Sequence, residues 1–319
     1  FRDLEPPLAI RKTLHGFTGL REIGEGSFSI VYRGQEKNGQ ERMCAIKTCL
    51  KRQLIKEKKV EYAKREKEAL IRVSCKEGHP LIVRLYETMQ DEEHLYFILS
   101  YAENGDLLHH MWEQKDSKFS LEHTVFYTAE VLSAIQHIHS LSIIHRDLKP
   151  ENVLLRSTGH IMLSDFGSCK IISEEQEKKD EERSREVRED GEGNTLRRRC
   201  SFVGTAQYVS PEILKGEKIS RAVDYWGLGV LVFQLITGKH AFDDEAEYLI
   251  FRRIQKRLFS FPSQMDETTK NLIDSLIVID PSKRLGCSED GVERIRQHPF
   301  FLPYSIPWND ITSFKLPNS

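Results

Sequence analysis

Long apolar runs are missing from this chain. No stretch approaches the ~20 consecutive apolar residues a membrane-crossing helix needs, and no charged-then-apolar leader opens the sequence. A surplus of charge is missing too. The 47 basic and 49 acidic residues leave a net charge of −2, so no global field draws the chain to nucleic acid or anionic lipid. Cysteine is sparse: Cys44, Cys49, Cys75, Cys169, Cys200 and Cys287 form neither a CxxC pair nor a zinc spacing. That excludes a disulfide framework and points to reduced thiols in a cytoplasmic protein. Internal repeats are absent. What is there, 319 residues with 39% apolar and 30% charged side chains, suits a globular protein long enough for two cores. Because the first residue is Phe1, a fragment of a longer protein is expected.

The pattern changes character along the chain. From about Leu20 to Thr48 it reads as strands, with Ile30-Val31-Tyr32 after a glycine turn and Cys44-Ala45-Ile46 as a short apolar run. Ala63, Glu66, Leu70 and Val73 recur at helical spacing, and Leu81 to Tyr86 and Leu95 to Ser100 return to strand composition. From Asp106 onward helices dominate. Ser120 is placed to cap one of them, and Asp224 to Thr237 is apolar on nearly every side, as a central buried helix would be. Residues 173–199 stand apart, with ten acidic and eight basic side chains and almost nothing apolar. Such a stretch buries too little surface to offset its ordering entropy and is expected to be a disordered or loosely helical insertion, the rival reading being a regulatory or docking element.

The chemistry is concentrated in His145-Arg146-Asp147-Leu148-Lys149-Pro150-Glu151-Asn152, followed thirteen residues later by Asp165-Phe166-Gly167. One short loop supplies a carboxylate, an amine and a carboxamide, and the second motif adds a carboxylate. Phosphoryl transfer from ATP needs those groups: an acceptor for the incoming hydroxyl proton, a cation for the moving phosphoryl, and oxygen ligands for Mg²⁺. On this octad the chain resembles the eukaryotic protein kinases. Asp147 is then expected to be the base, Lys149 to neutralise the γ-phosphoryl, and Asn152 and Asp165 to hold the metal. Lysine at position 149 and the run Gly204-Thr205-Ala-Gln-Tyr208-Val-Ser210-Pro211-Glu212 match the serine/threonine class.

The resemblance implies an α+β, two-lobed catalytic domain over residues 17–301. A strand-rich lobe (17–98), a hinge (99–103) and a helical lobe (104–301) lie between extensions at 1–16 and 302–319. Gly24-Glu-Gly26-Ser27-Phe28-Ser29 is placed to fold over ATP phosphates, since glycine lets backbone N–H groups approach without a Cβ. Lys47, in an apolar run, is the expected α/β-phosphate ligand. Glu66 is its expected partner, because Glu68 falls about 200° away around the helix. Val31, Ala45 and Leu154 are expected to sandwich adenine with Leu99 behind it, the Ser100–Ala102 backbone at its edge and Asp106 at the ribose, and Glu151 is a further expected ATP-binding residue. Glu212 and Arg284 are expected to form a structural ion pair.

The resemblance narrows further. Gly-Glu-Gly-Ser-Phe-Ser, Leu95-Tyr-Phe-Ile-Leu-Ser-Tyr-Ala102, Ser201-Phe-Val-Gly-Thr-Ala-Gln-Tyr-Val-Ser-Pro-Glu212, Glu247-Tyr-Leu-Ile-Phe251 and Lys283-Arg-Leu-Gly-Cys287 resemble the upstream, phosphoinositide-dependent branch of the AGC kinases. That branch implies Mg·ATP as cofactor and the activation-loop Thr/Ser of other AGC kinases as substrate. Such substrates dock by a phosphorylated hydrophobic tail. The matching pocket positions are Lys51, Leu54, Ile55, Val60 and Leu95, with Arg11, Lys67, Thr88 and Gln90 on the phosphate side, while Ala63 and Lys64 depart from the branch. Ser201 is the expected activating phosphosite, modified in trans by a second copy, with Arg65, Arg146 and Lys170 as its cationic partners. Phe301-Leu-Pro-Tyr304 sits too early to be a tail motif of the chain's own. Membrane recruitment is expected to fall to regions outside this sequence. The competing readings are an ordinary AGC effector kinase with its tail cut off and, because Lys47, Asp147, Asn152 and Asp165 are all present, a disfavoured pseudokinase scaffold.

Overall fold

A computed structural model describes residues 5–26, 28–37, 41–76, 78–172, 205–288 and 290–317. The chain divides into two units, Phe1–Gly105 with Leu154–Gly167, and Asp106–Val153 with Ser168–Ser319.

The first unit is built on a five-stranded sheet of β1 (Phe17–Glu25), β2 (Ser29–Glu36), β3 (Met43–Leu50), β4 (Leu85–Gln90) and β5 (His94–Ser100). Its order is β1-β2-β3-β5-β4 and every pair is antiparallel. Alternation along β3 decides the faces. Cys44 and Ile46 are buried with Tyr32, Tyr96 and Ile98 in one cluster, while Ala45 and Lys47 take the other parity. Register sets Val31 and Phe97 opposite Lys47, and Leu99 opposite Ala45. The helices of this unit are α1 (Leu8–Thr13), α2 (Lys51–Lys56) and α3 (Val60–Ser74). Helix α3 buries Ala63, Glu66, Ala69, Leu70 and Val73, the 3–4 spacing of a single face.

Residues 1–16, expected as an extension, pack onto this unit: Ile10 and Leu14 belong to the buried cluster beneath the sheet. One expectation needs correction. Leu81 to Val83 have strand composition but do not join the sheet. Ile82 bridges Leu163 in parallel, Val83 N donates to Leu163 O (2.9 Å) and Leu163 N to Leu81 O (2.8 Å). These backbone groups are satisfied by residues 161–163, which draws 154–167 into the first unit and makes the division differ from a simple cut at the hinge. Asn104 N to Leu155 O (3.0 Å) and Leu155 N to Gly105 O (2.8 Å) add to the same attachment.

Among the described residues the second unit is mainly helical: α4 (Leu107–Trp112), α5 (Leu121–Ser140), α6 (Pro211–Lys215), α7 (Ala222–Thr237), α8 (Glu247–Lys256), α9 (Glu267–Leu276) and α10 (Gly291–Arg296). Of the short strands, β6 (Ile143–Ile144) pairs with β9 (Lys170–Ile171) in this unit, while β7 (Val153–Leu155) pairs with β8 (Ile161–Leu163), both belonging from Leu154 onward to the first unit. Ser120 caps α5 by accepting from His123 N. Helix α7 is buried from Ala222 to Leu235. A Cβ on its Gly229 would meet Leu276 and Ile277 at 2.8 Å, so glycine there permits the close approach of α9. The C-terminal segment also packs onto this unit: Ile306 and Ile311 are buried, and Phe314 lies against Phe126 at 5.3 Å between ring centroids.

Candidate active site

In the sheet unit, β3 and α3 bring together two charges that lie 19 residues apart in sequence. Lys47 Nζ stands 2.5 Å from Glu66 Oε1, and 3.4 Å from Asp165 Oδ1. Glu68 points elsewhere, paired with Arg72 at 2.7 Å and half-exposed. Burial alone would lower the pKa of Lys47, but the carboxylates of Glu66 and Asp165 outweigh it and raise the pKa above the usual ammonium value. For Glu66, burial pushes the carboxyl up and the Lys47 ammonium opposes that. Asp165 adopts φ 57, a left-handed conformation costly for a non-glycine residue, and accepts from Gly167 N at 3.3 Å. The neighbouring Phe166 is fully buried.

The glycine turn joins β1 to β2, with Gly24 opposite Val31 and Gly26 N donating to Ser29 O at 2.7 Å. Phe28 and Ser29 flank it; Ser27 lies outside the described residues. Val31, Ala45, Leu99 and Leu154 are all part-exposed, while Ala102 is buried. Ser100 N donates to Arg84 O (2.9 Å), and its hydroxyl accepts from Arg84 N and donates to Met162 Sδ, so this N–H is engaged within the sheet unit.

In the helical unit the catalytic run is tied into a compact loop. Asn152 Nδ2 donates to Asp147 O (2.7 Å) and Oδ2 (3.1 Å), and Lys149 Nζ lies 3.1 Å from Asp147 Oδ2 and 3.4 Å from Thr205 Oγ1. Beneath the loop is Asp224, at the start of α7, a residue the motif reading missed. Its buried carboxylate accepts from His145 N (2.9 Å), Arg146 N (2.8 Å) and His139 Nε2 (2.7 Å). Against the cost of burial, the bonds to His139 and Arg146 and the charges of His139 and His145 hold its pKa below the usual carboxylate range. These bonds restrain Arg146 at φ 70. A lone carboxylate at the mouth of an otherwise apolar helix was the available signal.

Asp106, expected at the ribose, caps α4 by accepting from His109 N at 2.8 Å with Oδ1. Glu151 Oε2 is buried and meets no donor among the described residues, and burial pushes that carboxyl up. Arg284 holds Glu212 through two bonds, 2.8 and 3.1 Å, with both side chains buried.

A cavity of about 450 Å³ opens in the sheet unit among α2, α3, β4 and β5. It is lined by Lys51, Leu54, Ile55, Val60, Lys67, Thr88, Gln90 and Leu95, together with Ala63 and Lys64. Arg11 does not join that lining; its guanidinium binds Glu5 at 2.8 Å. Arg65 stacks on the Tyr62 ring at 4.6 Å and donates to Glu61 O, and Lys170 lies in β9. Ser201 and the 173–199 insertion fall outside the described residues.

A lysine paired with a helix glutamate, and a loop carboxylate bonded to its own lysine and asparagine, are the types of group that phosphoryl transfer from ATP requires. The family model of the protein kinase domain matches residues 17–301, and the chain belongs to the protein kinase family. It is 41% identical over 307 residues to human 3-phosphoinositide-dependent protein kinase 1, covering 96% of this chain and 50% of that protein. Human putative 3-phosphoinositide-dependent protein kinase 2 is also 41% identical, with 96% and 71% covered. The Arabidopsis thaliana 3-phosphoinositide-dependent protein kinase 1 is 36% identical, with 94% and 57% covered. The chain thus spans about half the length of 3-phosphoinositide-dependent protein kinase 1 of human, rat and mouse. Within its family it is a serine/threonine protein kinase similar to the 3-phosphoinositide-dependent kinases of the AGC group, and protein kinases use ATP and Mg²⁺.

Proposed function

We propose that this chain transfers the γ-phosphoryl of Mg·ATP to the activation-loop serine or threonine of other AGC kinases, holding them by a docked hydrophobic tail. The observation that carries this reading is the 450 Å³ cavity. Leu54, Phe97 and Ala63 give it an apolar interior, and the exposed Lys64 and Lys67 with part-buried Lys51 suit an acidic or phosphorylated tail. In this reading Asp147 orients the substrate hydroxyl and accepts its proton, while Lys149 offsets charge on the moving phosphoryl. Lys47, positioned by Glu66, holds the α- and β-phosphates under the Gly24–Ser29 turn. Val31, Ala45, Leu99 and Leu154 flank the adenine. Glu151 and the free oxygen of Asp106 receive ribose hydroxyls, which would satisfy the orphaned Glu151 Oε2.

The metal fits the donors present. Asn152 and Asp165 offer hard oxygens, and among the described residues no cluster of three metal-binding side chains exists. Mg²⁺ is held by one or two such groups together with substrate phosphates, and when bound it neutralises charge on the β- and γ-oxygens. The proposal extends to the domain limits, 17–301 for catalysis, and to Ser201 as a site phosphorylated in trans by a second copy, paired with Arg65, Arg146 and Lys170. Mass spectrometry of active protein alongside Ser201→Ala kinetics tests that part; full activity without phosphate at Ser201 overturns it. No described helix is long and apolar enough to cross a membrane, and recruitment to the plasma membrane is assigned to regions outside this chain.

The docking reading is tested by Leu54→Glu and Leu95→Glu. Each places a charge in the apolar cavity, so phosphorylation of a tail-bearing kinase should fall by about tenfold or more while a short peptide is spared. Equal losses on both substrates would mean general damage to the sheet unit and would sink it.

A further inference from the structure

Asp91 lies in the turn between β4 and β5, and no catalytic or docking role accounts for how heavily it is bonded. Its carboxylate accepts from four donors: Glu93 N (2.9 Å), His94 N (2.7 Å), Tyr96 OH (2.6 Å) and Thr13 Oγ1 (2.9 Å). The two backbone donors fix the turn. Tyr96 ties it to the core face of the sheet, and Thr13 ties it to the end of α1, whose Ile10 and the following Leu14 pack in that same core. Against the cost of burial, these donors hold the carboxyl well below its usual range, so it stays ionised.

The backbone of the turn also holds Lys51, a residue that lines the docking cavity. Lys51 Nζ donates to Asp91 O at 2.5 Å and Lys51 N to Glu93 O at 2.8 Å. Lys51 opens α2, which supplies Leu54 and Ile55 to the cavity, and the two strands joined by the turn supply Thr88, Gln90 and Leu95. One turn therefore seats the first residue of α2 and joins two walls of the cavity, and its conformation is shared with α1 through a single hydroxyl.

We propose that Asp91 is a positioning residue for tail docking, and that α1 sets the shape of the docking cavity through the Thr13–Asp91–Lys51 chain of bonds. The inference rests on the docking reading above. Thr13 itself does not line the cavity, so its effect on docking is transmitted and not direct. Removing the Thr13 hydroxyl takes one of four donors from the carboxylate and releases α1 from the turn. The seat of Lys51 then loosens, and the cavity loses preorganisation for its ligand.

Thr13→Val, which keeps side-chain shape, and Thr13→Ser, which keeps the hydroxyl, are compared with wild type. The probe is a fluorescent peptide carrying two aromatic residues and a phosphoserine, and steady-state kinetics are run on a tail-bearing kinase and on a short peptide. Thr13→Val should weaken tail-peptide binding and raise KM for the tail-bearing kinase by about three- to tenfold. Values for the short peptide should not move, and Thr13→Ser should restore wild-type behaviour. Wild-type tail affinity in Thr13→Val overturns the coupling and leaves docking intact. A wild-type protein that does not bind the tail peptide overturns the docking reading, and the coupling with it. Losses shared by tail and short peptide overturn the coupling as mere destabilisation.

Discussion

In the sheet unit, Lys47, Glu66 and Asp165 meet across sequence separations of 19 and 118 residues. In the helical unit, Asp147, Lys149 and Asn152 come from a single run of six residues. The first cluster exists only if a strand, a helix and a distant loop are packed in register. The second is closed by its own asparagine and lysine, and needs the rest of its unit chiefly to hold the loop down, which Asp224 does. Charge is managed differently as well. Lys47 and Glu66 are a buried pair, each correcting the other's desolvation, whereas the loop anchor is one carboxylate surrounded by donors. A cluster of the first kind is sensitive to deformation of its elements, and one of the second kind to loss of its anchor.

The sharpest way to break the comparison is Asp147→Asn. On the proposed assignment it removes the proton acceptor but no phosphate contact, and Asn retains the shape that Asn152 and Lys149 bind. The expected outcome is a fall in kcat of at least about two orders of magnitude, with ATP affinity measured by fluorescence or calorimetry nearly unchanged. Turnover within about tenfold of wild type would show that the assigned base is wrong.

Glu66→Gln should come next and look different. It leaves the Lys47 ammonium with Asp165 as its remaining partner among the charges it now contacts, so the lysine is misplaced for the phosphates. A loss of about tenfold or more in kcat/KM for ATP is expected, carried largely by KM. An equal fall in kcat at saturating ATP would show that the first cluster acts in chemistry and not in holding nucleotide, which erases the distinction drawn here.

How much of this was legible beforehand follows the same division. The catalytic loop was readable because its groups are local and their types are chemically unusual together. Glu66 was readable because Ala63, Leu70 and Val73 mark the face that α3 buries. Burial of Ile10 and Leu14 was not readable, since a six-residue helix carries too few apolar positions to declare a face. Leu81 to Val83 have strand composition, and only the backbone bonds to Leu163 show that their partner lies outside the main sheet. The cap that Asp106 provides to α4 competes with its expected role at the ribose, and a capping aspartate and a ligand aspartate look alike in sequence.

Asp224→Asn tests the anchor. Asn keeps one carbonyl acceptor but presents an amide where His139 or a backbone N–H donates. A loss of about 2 kcal/mol in unfolding free energy is expected, with a smaller fall in kcat than Asp147→Asn. The pH dependence has a definite sign. Because the folded pKa is lowered, the wild-type carboxylate contributes stability that is complete above the unfolded value near 4 and is lost as pH falls through the folded pKa. The gap in stability between wild type and variant should therefore be constant from about pH 7 to 5 and shrink under stronger acid. A gap that widens under acid would reverse the assignment.

The smallest effect concerns thiols, which report local opening in each unit without touching chemistry. In the sheet unit Cys49 lies on β3, two residues from Lys47, and burial pushes its thiol up to about 12. Cys44 is buried on the same strand and its thiol is also raised by burial. Cys75, just past α3, is exposed. In the helical unit Cys169 is buried and Cys287 part-buried. Among the cysteines of the described residues, brief maleimide treatment of folded protein near pH 7, read by peptide mapping, should modify Cys75 first, Cys287 slowly, and Cys44, Cys49 and Cys169 only on unfolding, because both thiolate fraction and access fall with burial. In Glu66→Gln, Cys49 should gain reactivity while Cys169 keeps its protection, since the weakened pair lies in the sheet unit. If Cys169 were exposed in step with Cys49, the two units would open together, and the separate sensitivities argued for the two clusters would fail.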